Sequence, residues 1–560
     1  MTTRWLVAAA GLLAVSGAAY ADPGLADLIQ AGQDAAALKL VNTGASVNVP
    51  QGDGSTPLDW ASYRLDKGLV TALLKHGADP NAMNNFGSSP LEEAVKAADV
   101  DLVKMLLRAG AKADPANADG QTPLMLASRN GTLKIVKLLV RHGANVNARE
   151  RWRGQTAVMW AAAEGHADVT QYLVKHGAAV NTRAIYNDWL DKATQITSEP
   201  RAQYRPEGGL TPLLYAVRSG CMGCVQALLK GGADINKPTP EGVTPLMSSI
   251  DNLHYDVAKY LLQHGANPNT WDWYGRTPLY IAVDMHTYAR VLESGRRGRG
   301  AGGGPAQEKH AAPPDQTTAI DIIRMLLDAG VDPNAQLDLH RPGRGGNSGR
   351  FVDDLLRTGC TPLLLAAITH DTEAISLLLQ HGALVDLPNV NGVTPLVAAA
   401  GVGSAFGGLF GGRGDFSPNA ESNAVTTIAL LLKAGANINA RVTDTSSLTA
   451  RIARASGMTN RQGQTALYGA ISLGWPKVVQ YLLQHGANVN VKDDMGRTPL
   501  MAATHGAGGR GRGFKPVKQI IAMLTQASAG EEISSTRGAE LAPLPAPLPA
   551  VRRTPLTAVR

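Results

Sequence analysis

The chain has 560 residues, with 53 Lys and Arg against 46 Asp and Glu and a formal charge of +7. That length exceeds one compact core and implies several domains or one extended array. Only 5 % of residues are aromatic, whereas 61 are Gly and 32 are Pro. This composition disfavours a large sheet enzyme, and the mild basic charge does not by itself indicate nucleic acid.

The first 21 residues read as a cleavable export signal. Arg4 supplies a short positive region, Trp5 to Val15 is an apolar run, and Ala19-Tyr20-Ala21 gives the small-x-small pattern of a signal-peptidase site. Cleavage after Ala21 would start the mature chain at Asp22 and place it in the periplasm or outside the cell. No later run of 18 or more apolar residues could span a membrane. The three cysteines, Cys221, Cys224 and Cys360, are too few for a disulfide-dense fold, so stability must come from packing.

From there to about residue 527 the chain repeats with a period of 33 or 34 residues wherever no insertion intervenes. Thr-Pro-Leu begins at Thr56, Thr122, Thr211, Thr244, Thr277, Thr361, Thr394 and Thr498, with degenerate copies at Ser89, Thr156 and Thr465. The cleanest unit runs from Asp119 to Ala148. Thr122 can cap a helix whose first turn accommodates Pro123, and Leu124, Ala127 and Ser128 form the packed face of that short helix. Gly131 allows a tight reversal. Ile135, Val136, Leu138 and Leu139 give a second helix its apolar stripe, and Gly143 stops it. Residues 25–49 and 496–526 read as terminal caps.

This pattern resembles the ankyrin repeat over roughly residues 24–526. The resemblance implies an all-α solenoid of about twelve helix–turn–helix repeats joined by hairpin loops. One feature departs from the family: the His that usually follows Thr-Pro-Leu is absent from every copy. Asp59, Glu92, Met125, Met159, Leu214, Met247, Tyr280, Leu364, Val397, Tyr468 and Met501 stand there instead. The polar ties between hairpins are expected to be weaker, or replaced by apolar contact.

Six insertions interrupt the period. Three fall in the hairpins between repeats, at about 182–208, 337–357 and 441–462, where 351–356 and 447–452 could form short helices. Three fall between the two helices of a repeat, at about 287–316, 401–423 and 505–515, and are Gly- and Arg-rich. A Pro-rich tail, 528–560, follows and is expected to be disordered.

Catalytic signatures are missing. No Gly-x-Ser-x-Gly elbow, Walker loop or His-Glu-x-x-His is present, so no catalytic, cofactor or metal residue is assigned and no enzyme is expected. Gly506 to Gly511 imitates a dinucleotide fingerprint, but no strand precedes it. Arg413-Gly414-Asp415 imitates an integrin tripeptide within a Gly-rich insertion. His76, His142, His176, His264, His381 and His485 each precede a Gly at a second-helix end, a structural place near the negative end of the helix dipole. Cys221-Met222-Gly223-Cys224 sits where the repeat wants small or apolar residues; a local disulfide is the other reading.

The aromatic residues carry the functional expectation. The resemblance implies a binding groove lined by the fourth residue after the anchor Thr, which includes Trp60, Trp160 and Tyr215, and by the hairpin tips. The tips carry Phe86, Trp152 between Arg151 and Arg153, and Trp271, Trp273 and Tyr274. Trp, Tyr and Arg dominate interface energies. The expected role is therefore an exported, monomeric scaffold for a protein partner, with nucleic acid disfavoured. The alternatives are a redox- or metal-linked accessory protein working through Cys221 and Cys224, or a secreted effector.

Overall fold

A computed structural model describes residues 24–187, 207–293, 316–337, 359–402, 419–443, 461–505 and 516–530. The export signal, the Pro-rich tail from residue 531 onward, the two short helices expected within insertions, and the Arg413 and Gly506 motifs lie outside the described residues. The chain divides into two compact units between Val180 and Asn181.

The first unit contains five helix pairs, from Leu25–Gln30 with Asp34–Asn42 to Ala157–Ala163 with Ala167–Lys175. The second contains seven among its described residues, from Pro212–Ser219 with Met222–Lys230 to Pro499–His505 with Lys518–Ser528. Within each unit, first helices pack on first helices and second on second. In the unit from Asp119 to Ala148, Leu124, Ala127, Ile135, Val136 and Leu139 have no exposed surface. Each large aliphatic side chain so placed contributes about 1.5–3 kcal/mol of burial. Leu138, expected in that stripe, is only half-buried because it falls at the side of the buried face.

Local chemistry sets the boundaries. The anchor Thr accepts a hydrogen bond from the third helical amide, as at Thr211 to Leu214 (3.3 Å) and Thr361 to Leu364 (3.0 Å). Second helices close on the six histidines, whose Nδ1 atoms donate to the carbonyl four residues back over 2.7–2.9 Å. Gly143 follows at φ 89°. The reversal between the helices is left-handed too, with Gly131 at φ 70°; yet Leu65, Ala98, Leu253 and His370 adopt the same conformation at that place, so glycine is not obligatory there.

Several boundaries differ from the sequence reading. The helix beginning at Pro278 continues to Glu293, so the Gly/Arg-rich insertion starts later than Thr287. The helix Ala420–Lys433 takes up the end of the 401–423 insertion. One two-residue antiparallel pair, Tyr186–Asn187 with Glu207–Gly208, interrupts the all-helical pattern. It belongs to a device shared by all three hairpin insertions. Backbone bonds close each neck: Gly209 N to Ile185 O (3.2 Å), Gly359 N to Leu337 O (2.8 Å) and Gly463 N to Val442 O (2.7 Å). Beside each neck a long polar side chain spans to the next hairpin. Arg183 donates to the carbonyls of Gly209 and Pro238, Gln336 to those of Gly359 and Pro388, and Arg441 to those of Gly463 and Lys492.

The missing His is replaced mainly by apolar contact. Met125, Met159, Leu214, Met247, Leu364 and Val397 are fully buried. Tyr468 supplies a polar tie instead, its hydroxyl 2.7 Å from the Val491 carbonyl, and burial with nearby Asp493 pushes that phenol up to about 12. Asp59 turns back on its own helix start, accepting from the Thr56 amide and hydroxyl at 2.8 Å each. Burial, opposed by those bonds, raises its carboxyl to about 6.

An acid whose pKa is higher folded than unfolded stabilises the fold below its unfolded value and loses that contribution as pH rises through the folded value. Between pH 4 and 7 the first unit should therefore lose as much as about 3 kcal/mol through Asp59. Urea titrations at the two pH values should show Asp59→Asn with a smaller difference than the wild type.

Candidate binding surface on the hairpin tips

Most hairpin tips are built on one polar side chain whose oxygen collects the amides of the turn. Asn84 accepts from Phe86 (3.0 Å) and Ser88 (2.9 Å), and Asn117 accepts from Asp119 (3.1 Å) and Gln121 (3.0 Å). Asp272 accepts from Tyr274 (3.0 Å) and Arg276 (2.9 Å) and also holds the Arg276 guanidinium at 2.7 Å. The tip of Trp152 is one residue longer, because the step from Thr122 to Thr156 is 34 residues rather than 33. A longer anchor matches the longer loop: the buried carboxylate of Glu150 accepts from Trp152 (2.6 Å), Arg153 (2.8 Å) and Gln155 (2.9 Å). With the carboxylate committed to these amides, the turn presents its side chains outward.

In the first unit Trp152 is 81 % exposed and Phe86 70 %. Arg151 is tied to the neighbouring hairpin, its amide to the Asp119 carbonyl (2.8 Å) and its guanidinium to that of Ala118 (3.2 Å). The Arg153 side chain is exposed. Trp60 and Trp160, at equivalent places on first helices, are both half-buried but differ in their partners. Trp60 donates its indole N–H to Gln51 Oε1 at 2.6 Å and meets Tyr63 edge-on. Gln51's place before Trp160 is taken by Glu150, whose carboxylate is committed to the turn amides. The Trp160 indole N–H is accordingly buried without an acceptor, while the Arg129 guanidinium stands 5.5 Å over its ring.

Trp152 and Trp160 face a common cleft of about 340 Å³, which Asp119, Gln121, Glu150, Arg153 and Gln155 also line. The structure thus brings together two of the expected aromatic residues with Arg153. Trp60 and Phe86 do not line this cleft. In the second unit Trp271 is 68 % exposed and Trp273 38 %, while Tyr215 is half-buried. Tyr274 departs from the expectation: at 2 % exposure its ring is inside, although its amide bonds to Asp272 as the equivalent amides of Phe86 and Trp152 bond to their anchors. The anchor fixes the direction of the amide but not that of the ring. Glu150 and Arg129 were not singled out by sequence. The recurrence of Asn, Asp or Glu two residues before each tip side chain was the signal available for the first.

Replacing Glu150 with Ala should cost about 1–3 kcal/mol, the consequence of leaving part-buried amides unpaired. Glu150→Asp should be destabilising as well, because the shorter chain cannot span the longer loop. Urea titration with Trp fluorescence checks both.

Among the described residues no cluster of three or more His, Cys, Asp or Glu could hold a metal, and no helix is long and apolar enough to cross a membrane. A profile of tandem ankyrin repeats matches residues 25–117, 91–184, 193–272, 213–294 and 420–510, and the single ankyrin-repeat profile matches 358–390. The B-cell lymphoma 3 protein homolog of Mus musculus is 33 % identical over 208 residues, 33 % of this chain and 38 % of the mouse protein. The chain thus spans well under half of that relative's length. With the profile matches covering more than half of the sequence, and the helix pairs stacked as the repeat requires, the chain belongs to the ankyrin-repeat family.

Proposed function

We propose that the chain is an exported scaffold that binds a protein partner through its aromatic hairpin tips, with the Trp152–Trp160 cleft as the principal contact in the first unit. The family supports protein binding in general. The observation that carries the specific reading is Trp152, almost fully exposed on a turn held by a buried carboxylate. Exposing an indole this way leaves apolar area in water, and fixing it there lowers the ordering cost of binding. Trp271 and Trp273 offer a second contact in the second unit.

The chemistry of the cleft also indicates what fits it. The Glu150 charge is taken up by backbone amides, whereas the exposed Arg153 guanidinium offers donors at the cleft. An apolar partner side chain beside a carboxylate would satisfy both the Trp152 ring and those donors. Export is consistent with the signal at residues 1–21 and with a disulfide between Cys221 and Cys224, a bond that persists in oxidising compartments.

The test is affinity capture by the secreted or envelope-localised protein, whose first residue should read as Asp22. Trp152→Ala and Trp160→Ala should each weaken the captured partner about 30-fold, the loss of a hot spot worth about 2 kcal/mol. Arg153→Glu should slow association and reduce its salt dependence. Unchanged affinity in a Trp152/Trp160/Trp271 triple Ala variant would remove the tips from the binding surface.

A further inference from the structure

The Cys221–Cys224 pair takes no part in the aromatic surface. Its two sulfurs are joined, with Cα atoms 5.2 Å apart. They differ in access: Cys224 has no exposed surface, whereas Cys221, Met222 and Gly223 are all partly exposed. Cys221 is the N-cap of the nine-residue helix Met222–Lys230, and its sulfur accepts the Cys224 amide at 3.1 Å. The turn before it is fixed by Gly220 at φ 70°. A Cβ there would come within 2.6 Å of the His254 ring, which is itself held by the Arg218 carbonyl at 3.2 Å.

Other repeats show what this place in the fold accommodates. Asp66, Asp99 and Asp371 are the corresponding N-caps, and their carboxylates accept the third helical amide from Leu69 (2.9 Å), Leu102 (3.0 Å) and Ala374 (3.2 Å). The sulfur of Cys221 occupies the position of those carboxylate oxygens, on the same amide of the helix. A negative charge is thus at home there. For Asp99, burial raises the carboxyl, but the Leu102 amide and the Lys67 ammonium outweigh it and leave the group below its ordinary value. A helix N-terminus lowers a thiol in the same way.

We propose that Cys221 and Cys224 form a thiol–disulfide exchange site that oxidises a dithiol of a protein or peptide, with Cys221 as the sulfur that is attacked. A substrate thiolate attacks Cys221 Sγ, and the S–S bond breaks with its electron pair passing to Cys224 Sγ, which takes up a proton. The second substrate thiolate then attacks the substrate sulfur of the mixed disulfide. Cys221 leaves as a thiolate held by the Cys224 amide. One turnover forms one substrate disulfide and leaves two cysteines reduced, the protein's own disulfide being the oxidant. Stabilising the Cys221 thiolate favours the reduced protein and hence oxidation of the substrate. Burial of Cys224 directs the attack to Cys221. This activity is independent of the binding reading, since none of its residues lines the Trp152 cleft.

The experiment uses the full chain with the buried Cys360 replaced by Ala. The oxidised protein is mixed with one equivalent of a reduced synthetic peptide containing two cysteines, and the products are weighed by mass spectrometry after alkylation. Conversion of the peptide to its disulfide, with two new thiols on the folded protein, is the expected result. With the oxidised peptide, the Cys224→Ala variant should trap a mixed disulfide at Cys221, and the Cys221→Ala variant should trap none. At pH 6 the Cys221 thiol of Cys224→Ala should react with iodoacetamide at least about threefold faster in the folded protein than in urea. A folded wild-type disulfide that stays intact in the presence of the dithiol peptide, while the urea-unfolded protein exchanges, would overturn the proposal and leave a purely structural bond. That wild-type comparison decides the matter even if a variant loses its helical circular dichroism.

Discussion

The stack depends on the reach of one short polar side chain, usually asparagine, from a hairpin to the next repeat. In the first unit Asn48 donates to the Gly77 carbonyl (2.9 Å) and accepts from the Asp79 amide (2.8 Å). Asn81 and Asn147 do the same one and three repeats on, to Gly110 with Lys112 and to Gly177 with Ala179. The second unit reuses it at Asn181, Asn334 and Asn439. A single repeat cannot bury its apolar faces, so folding of the array is a sum of interfaces between neighbours. The asparagine links the end of one second helix to the next hairpin and fixes the register in which those faces meet. Asp114 and Asp386 keep the accepting half only, since an ionised carboxylate has no hydrogen to donate. Burial raises Asp114 above its ordinary value, a sign that the position suits a neutral group better.

That register explains how long insertions are carried. Loop closure becomes more costly only slowly with length, provided the ends are already held together. At the three hairpin insertions they are held: paired backbone groups close the neck, and Arg183, Gln336 or Arg441 reaches across to the following hairpin. Arg149, at the same place before an uninterrupted hairpin, bonds the Gly154 carbonyl at 3.1 Å. The staple therefore belongs to the hairpin itself, and the insertions exploit a neck that the ordinary repeat already makes. Insertions between the helices of a repeat are accommodated differently, by prolonging a helix, as Pro278–Glu293 and Ala420–Lys433 do.

The repeat, its helix pairs and its core stripe were legible because each follows from short-range chemistry: a capping hydroxyl, a first-turn proline, an apolar spacing, a terminal glycine. The six histidines were legible for the same reason, their Nδ1 bonds being local to one helix turn. What depends on another repeat was not legible. The Trp160 N–H lacks the partner that Gln51 gives Trp60 because Glu150, in Gln51's place, has its carboxylate bound to the turn amides, a relation visible once the hairpin is seen folded over the helix. Tyr274 was misplaced because sequence marks a residue as belonging to a tip, while the packing of its ring is a tertiary matter. The joined sulfurs of Cys221 and Cys224 follow from their being N-cap and third residue of one helix, a spacing that sequence shows but cannot distinguish from chance.

The division of labour within a tip bears most directly on function. Asn84, Asn117, Glu150, Asp272, Asn389 and Asp493 all accept the amide of the residue two places on. That residue is Phe86, Asp119, Trp152, Tyr274, Asn391 or Met495, so a constant backbone device carries a freely varied side chain. Stability therefore constrains the anchor and leaves the residue open to selection for binding where it is displayed, as at Phe86, Asp119, Trp152 and Met495 but not at the buried Tyr274 and Asn391. Trp152 is the extreme case, since its loop is one residue longer and its anchor is Glu, one methylene longer than the Asn or Asp of the other tips. A loop retained merely as a connection would have no reason for either feature, and a large indole left in water costs solubility. Both features make sense if the ring is meant to meet something.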